Sequence, residues 1–532
     1  MRYCLAGFAL VFLIALQAQR APSQSAFDLI ISNGLILDGT GRPAFRADVG
    51  IRNGHIEKIG SLSEARARAK IDAQGQVVTP GFIDVHVHIE DQVKRSTLRL
   101  VADNFLRQGV TTVITGNCGR SAPDIAGFFR KLARLKLAVN VATLIGHNTV
   151  RQQVCGARPQ PTPEQMARLE GLVKAGIEAG ALGFSTGLGY KPGVFASEDE
   201  VVELVRVAAA EHAIYATHLR DEAAGEQSAI AEAVRTAQRA GAPQLHISHL
   251  KAAGRSQWGT ARARLDQARQ AIGTETRLTA DMYPYTALSS TLEFLIPPQA
   301  FPLLGGPAAE RSRNFARAID LTIDKLHRDG WQDYSNVRVA FSEKHKNWIG
   351  QTIPEIVRGE LGAPPQARDE AAWIVRNQAG GDVQIIAEEM SEPDIRQIIT
   401  APDMVFGSDS SVHYRGLGRP HPRGAGTFPR VFAEYERDQK LLTLEEAVHR
   451  ATGLAAEIFA LPNRGFIREG DWADAVIFDP ARIQDRASFE DPWLPPDGIT
   501  AVIVNGQVAV HEGKLTGSWA GRPVPRTARA RP

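Results

Sequence analysis

A chain of 532 residues, 43% hydrophobic and 23% charged, can bury a sizeable core and is too long for a single ordinary one. Its formal net charge of only +2 argues against a nucleic-acid groove or an anionic membrane as partner. What remains is a soluble globular protein with one large unit and at least one smaller one.

Taken in chain order, Met1 and Arg2 lead into the apolar run LAGFALVFLIAL, residues 5 to 16, followed by small and polar residues. This layout predicts a signal peptide over residues 1–25 and a secreted or periplasmic protein, with no stable membrane insertion after cleavage. The alternative is an uncleaved anchor, although 12 apolar residues fall short of the roughly 20 that span a bilayer. Export would leave Cys118 and Cys155 in an oxidising compartment, where a disulfide between them is a rival to any other role.

Residues 26–79 carry short β-branched runs broken by NG and DG, the punctuation of hairpins. The same style returns over 463–520, in GDWADAVIFDP and ITAVIVNGQVAVHEGKLTG, so the two ends are expected to join into one small β-sandwich. Between them, over 80–462, strand-like runs alternate with amphipathic helices. Eight runs end near Val85, Gly116, Gly146, Gly187, His218, His249, Tyr283 and Asp409. Eight is the number that closes a (β/α)8 TIM barrel. About 125 residues separate the seventh end from the eighth, which requires an insertion, placed at about 288–346 as a small domain or lid. Residues 521–532, rich in Arg and Pro, read as a disordered tail.

The stretch GFIDVHVHIE puts His86 and His88 on one face of a strand, where both can reach one metal. Alone, the pair is equally a hydrogen-bonded strand end. Cys118, His218, His249 and Asp409 fall at other strand ends, on the barrel face where sites are built, and six such placements together point to a metal centre. His246 shares the parity of Ser248 rather than of His249 and reads as structural, while His147 stands near the same face with an open role.

The blocks GFIDVHVHIE, GNCG, THLRDE, ISHLK, DMYPYTALSS, GSDS, HPRGAGTFPR and ADAVIFDP resemble those of the amidohydrolase superfamily, and more narrowly of the N-acyl-D-amino-acid deacylases, over about Phe27 to Gly521. The resemblance implies one tightly bound zinc on Cys118, His218 and His249. It also implies a second, weaker position served by His86, His88, Cys118 and Asp409, with Asp409 as the catalytic acid and base. Related hydantoinases place a carboxylated lysine after the fourth strand; here that strand ends in GFSTGLGY, and Lys191 comes too late. Arg423 is expected to grip a substrate carboxylate bidentately, with Tyr283 and Lys251 as further substrate contacts. The expected substrate is a small N-acyl amino acid. Another amidohydrolase, acting on cyclic amides or dipeptides, and a non-catalytic barrel scaffold are the alternatives. Ser410 departs from the glycine that more often follows this aspartate, which puts the local loop geometry in question.

Overall fold

The computed structural model describes residues 27–304, 310–378 and 381–527. The apolar segment at the N-terminus and residues 528–532 lie outside the described residues. Among the described residues no helix is long and apolar enough to cross a membrane.

The centre of the molecule is a barrel of parallel strands: β1 (Phe82–Asp84), β2 (Val110–Thr115), β3 (Asn140–Thr143), β4 (Gly183–Gly187), β5 (Ile214–His218), β6 (Gln244–Ile247), β7 (Arg277–Met282) and β8 (Met404–Phe406). Each pairs in parallel with the next, β3 reaching β4 through its short extension Ile145–Gly146. The last seam closes just beyond β8 and β1: Val87 and Ser410 form a parallel bridge, Asp409 N donates to His86 O at 2.8 Å, and His88 N donates to Ser410 O at 2.8 Å. Two sets of chemistry-bearing residues more than 320 positions apart in sequence are therefore backbone neighbours, as Asp84 Oδ1, accepting from Ser408 N at 2.8 Å, also shows. The interior is packed with apolar side chains such as Ile83, Ile114, Ala216 and Val405, so the barrel is a core with its chemistry on the rim.

The two chain ends meet in one nine-stranded sheet, joined where Val77–Pro80 runs antiparallel to Ala475–Phe478. Its apolar residues, among them Ile31, Val49, Val78, Ile477 and Ile503, form a separate core.

The insertion between β7 and β8 extends well past the expected limit at 346. Its three-stranded antiparallel sheet has Gln384–Glu388 as the central strand, flanked by Ala287–Thr291 and Val337–Phe341. The helices Ile353–Leu361 and Ala367–Asn377 look like ordinary barrel helices in sequence. Their buried faces, with Ile356, Val357, Trp373 and Ile374, instead pack onto the insertion's own core with Leu288, Val337 and Ile385. The expected tail also needs correction: Gly521 N donates to Leu137 O at 2.9 Å and Val524 N to Val141 O at 2.8 Å, with Val524 buried, so residues 521–527 are held against the barrel.

Candidate metal centre

All six sequence-derived metal candidates converge at the C-terminal mouth of the barrel. Cys118 Sγ lies 3.3 Å from His86 Nε2, 3.3 Å from His249 Nε2 and 3.8 Å from His218 Nδ1. His218 Nδ1 and His249 Nε2 face one another at 3.0 Å. Asp409 Oδ1 is 3.1 Å from His88 Nε2 and 3.6 Å from His86 Nε2. Three overlapping groups, His86–His88–Cys118, Cys118–His218–His249 and His86–His249–Asp409, each bring their donor atoms within 4.8 Å of one another.

The backbone aims these side chains. Cys118, His249 and Asp409 each follow a strand with positive φ, of 51°, 34° and 48°. For residues other than glycine such conformations cost on the order of 1–3 kcal/mol each, and they cluster where function demands them. Room for Cys118 comes from two glycines: a Cβ at Gly187 would sit 2.1 Å from the Cys118 carbonyl oxygen, and one at Gly119 would sit 2.2 Å from Asn148 Oδ1.

Charge in the centre is arranged for a cation. Burial raises a thiol, but His86 and His249 outweigh it and hold Cys118 well below the ordinary thiol range. Asp409 is likewise kept well below the usual carboxylate range against its burial, by Arg423 and the histidines around it. Burial opposes charge on His88, yet Asp409 and Cys118 hold it up at about 9. A thiolate, a carboxylate and imidazole nitrogens converging at such distances are the donor set zinc takes, so the residues fit that ion.

A model of the Amidohydrolase family matches residues 69–510. The chain belongs to the amidohydrolase family. It is 34% identical to a D-aminoacylase of Alcaligenes xylosoxydans xylosoxydans, over 94% of this chain and 98% of that protein. It is also 34% identical to an N-acyl-D-glutamate deacylase of the same organism, over 91% of this chain and 93% of that one. Among solved structures, an N-acyl-D-glutamate deacylase from Bordetella bronchiseptica, complexed with zinc and a phosphonate mimic of the tetrahedral intermediate, superposes with a TM-score of 0.79 at 32% identity, covering 94% of this chain and 99% of that one. A D-aminoacylase structure concerned with the role of its binuclear metal centre gives a TM-score of 0.78 at 32% identity, covering 94% and 100%.

In this amidohydrolase the residues expected at the substrate cluster beside the metal group. Arg423 is buried at the start of the helix Arg423–Arg430, with Nη1 3.0 Å from Asp409 Oδ2 and Nη2 donating to the Asp409 carbonyl. Its guanidinium lies over the Tyr283 ring, 4.4 Å from the centroid. Arg423 thus engages Asp409 in this structure, while its Nε and the Tyr283 hydroxyl are buried without a hydrogen-bond partner. Unsatisfied buried groups of this kind are costly and call for a partner. Burial pushes the Tyr283 hydroxyl up to about 12, so it stays a neutral donor. Lys251 Nζ contacts His249 Nδ1 at 2.9 Å and Glu222 Oε1 at 2.8 Å.

Other residues fall where sequence reasoning did not place them. Glu222, four residues after His218, has Oε1 3.0 Å from His249 Nδ1, and Asp281 on β7 lies 3.3 Å from His86 Nδ1. A carboxylate in the apolar strand run LTADM was the available signal for Asp281, because a buried charge requires partners. From the loop after β4, Tyr190 sets its ring 4.4 Å from that of His218, tilted by 36°, and bonds Ser290 of the insertion at 3.2 Å. His147 is buried against Glu200 at 2.9 Å, and Glu200 also takes Arg151 Nε at 2.8 Å, so this histidine is spent on an internal hydrogen bond. Lys191 pairs with Glu293 at 3.0 Å. Cys118 and Cys155 are both free thiols, which removes the disulfide alternative. The Ser410 hydroxyl contacts His413 Nε2 at 3.0 Å, and Asp409 keeps its place at the seam.

Proposed function

We propose that this chain hydrolyses the amide bond of N-acyl-D-amino acids with zinc, releasing a carboxylate and a D-amino acid. The observation that carries the reading is the sharing of Cys118 between two donor groups beside the buried Lys251, Tyr283 and Arg423. Names borne by relatives of this length and identity supply the substrate class and its hand. Cys118, His218 and His249 would hold one zinc tightly; His86, His88, Cys118 and Asp409 would hold a second more weakly. Zinc bound there supplies a Lewis acid that polarises the acyl carbonyl and makes water acidic enough to be a nucleophile near neutral pH.

The side chains perform the rest. Asp409 takes the proton of the attacking water on its carboxylate and returns it to the leaving amine, one group serving as base and then acid. Lys251, Arg423 and the Tyr283 hydroxyl hold the substrate's α-carboxylate, which satisfies the buried donors left open on Arg423 and Tyr283. On this reading Arg423→Lys loses the planar fork. We expect KM for an N-acyl-D-amino acid to rise by about tenfold or more, with zinc content unchanged. An unaltered KM in steady-state assays would remove Arg423 from recognition.

The assignment is tested with paired N-acyl-D- and N-acyl-L-amino acids, hydantoins and dipeptides, each assayed with and without a chelator. Hydrolysis confined to the D acyl compounds and abolished by chelation is the expected result. Turnover of hydantoins alone would move the chain to the cyclic amides. The absence of a lysine on β4, and the engagement of Lys191 with Glu293, count against that outcome. We further propose that the chain is exported, supported by the apolar run at residues 5–16. N-terminal sequencing of the mature protein from a periplasmic fraction should begin near residue 19 to 26.

A further inference from the structure

Asp281 is fully buried on β7 and has no place in the hydrolytic steps above, yet it touches both halves of the metal group. Its Oδ1 accepts from His249 N at 3.0 Å, the backbone of a residue held at positive φ. Its Oδ2 lies 2.8 Å from His246 Nε2 and 3.3 Å from His86 Nδ1. His246 is itself buried, with Nδ1 2.8 Å from Thr279 Oγ1. A carboxylate accepts only, so both imidazole nitrogens facing Oδ2 must carry their protons.

We infer that Asp281 is a positioning residue that fixes the His86 tautomer with Nε2 free and thereby sets the affinity of the weaker metal position. This rests on the metal assignment proposed above. The reasoning follows the proton. With Nδ1–H donated to Asp281, the neutral ring of His86 keeps its lone pair on Nε2, and that atom is the one facing Cys118 Sγ at 3.3 Å and Asp409 Oδ1 at 3.6 Å. Partners that orient a histidine ligand through its outer nitrogen typically contribute 10- to 100-fold in metal affinity or activity.

Asp281→Asn reverses the pattern at one atom. The amide oxygen is still needed by His249 N, so the amide NH2 faces His86 Nδ1. His86 then has to accept at Nδ1 and carry its proton on Nε2, where it no longer offers a lone pair. The tight position loses little, because the His249 backbone contact survives and His249 Nδ1 keeps Lys251 and Glu222. His246→Leu removes the second donor to Oδ2 and leaves Asp281 to His86 alone.

The test is zinc stoichiometry of the mature protein, stripped and then dialysed against buffered free zinc, with bound metal counted by mass spectrometry. The wild type should take one equivalent tightly and a second at higher zinc. In Asp281→Asn the first should hold within about twofold and the second should require at least about tenfold more zinc; in His246→Leu both should stay within about twofold. The inference is overturned if the second equivalent is unmoved in Asp281→Asn, if both equivalents weaken by the same factor, if His246→Leu weakens the second as much, or if the wild type never takes a second. A wild type that binds no zinc would instead defeat the metal assignment itself. Should Asp281→Asn not fold, a neutron structure of the wild type decides the point: a deuteron on His86 Nδ1 facing Asp281 supports it, and an Nδ1 without one overturns it.

Discussion

Asp409→Asn should abolish hydrolysis of N-acyl-D-amino acids while leaving one zinc per chain in place. The carboxylate is buried at the closing seam, its backbone fixed by His86 O at 2.8 Å and its side chain by His88 Nε2 and Arg423 Nη1. The amide is nearly isosteric and keeps one acceptor, so packing and the seam should survive, whereas a basic oxygen able to shuttle a proton is gone. Losing a positioned general base and acid costs about 10²–10⁴-fold in rate, and one group filling both roles places the effect at the upper end. Cys118, His218 and His249 form their donor group without Asp409, so the tight zinc should remain. Steady-state kcat/KM together with metal analysis of the purified variant checks both halves. Turnover near the wild-type rate would end the assignment of Asp409, and loss of all zinc would make its role one of holding metal.

The metal group was legible because each of its residues lies at or just beyond the C-terminal end of a strand. Strand period and strand order place His86, His88, His218, His249 and Asp409 on one rim before any coordinates are seen. The contact between Asp409 and the His86–His88 pair needed only the closure of an eight-stranded barrel, which makes first and last strands neighbours. Glu222 and Asp281 were hidden for the opposite reason. Their meaning lies in which nitrogen of a distant histidine they face, and neither spacing nor composition encodes that. The insertion's end was misplaced because helices that bury one apolar face read alike whether that face meets the barrel or a separate core. Trp373 and Ile374 belong to the latter. Arg423 was placed beside the chemistry by its motif, but its engagement of Asp409 at 3.0 Å is a property of side-chain packing in three dimensions.

Cys118→Ser should cost the protein its zinc and with it all activity. Cys118 belongs to both the group with His218 and His249 and the group with His86 and His88, so a single change weakens both positions. A serine hydroxyl is not deprotonated under conditions where this thiol is held well below its ordinary range by His86 and His249. The soft anionic donor that suits zinc is then replaced by a neutral oxygen. Loss of about 100-fold or more in zinc affinity is expected, on the scale of one ligand's share of a protein zinc site. The fold should persist, because serine fits the space and the strained turn is held by Gly119 and Gly187 rather than by sulfur. The wild type offers an independent reading of the same bond. Thiol titration should find one more reactive cysteine per chain after chelation than in the zinc-loaded protein, above a baseline set by the half-buried Cys155. Stoichiometric zinc retained in Cys118→Ser, or a thiol count that chelation leaves unchanged, would mean that the sulfur packs against the histidines without serving as a ligand.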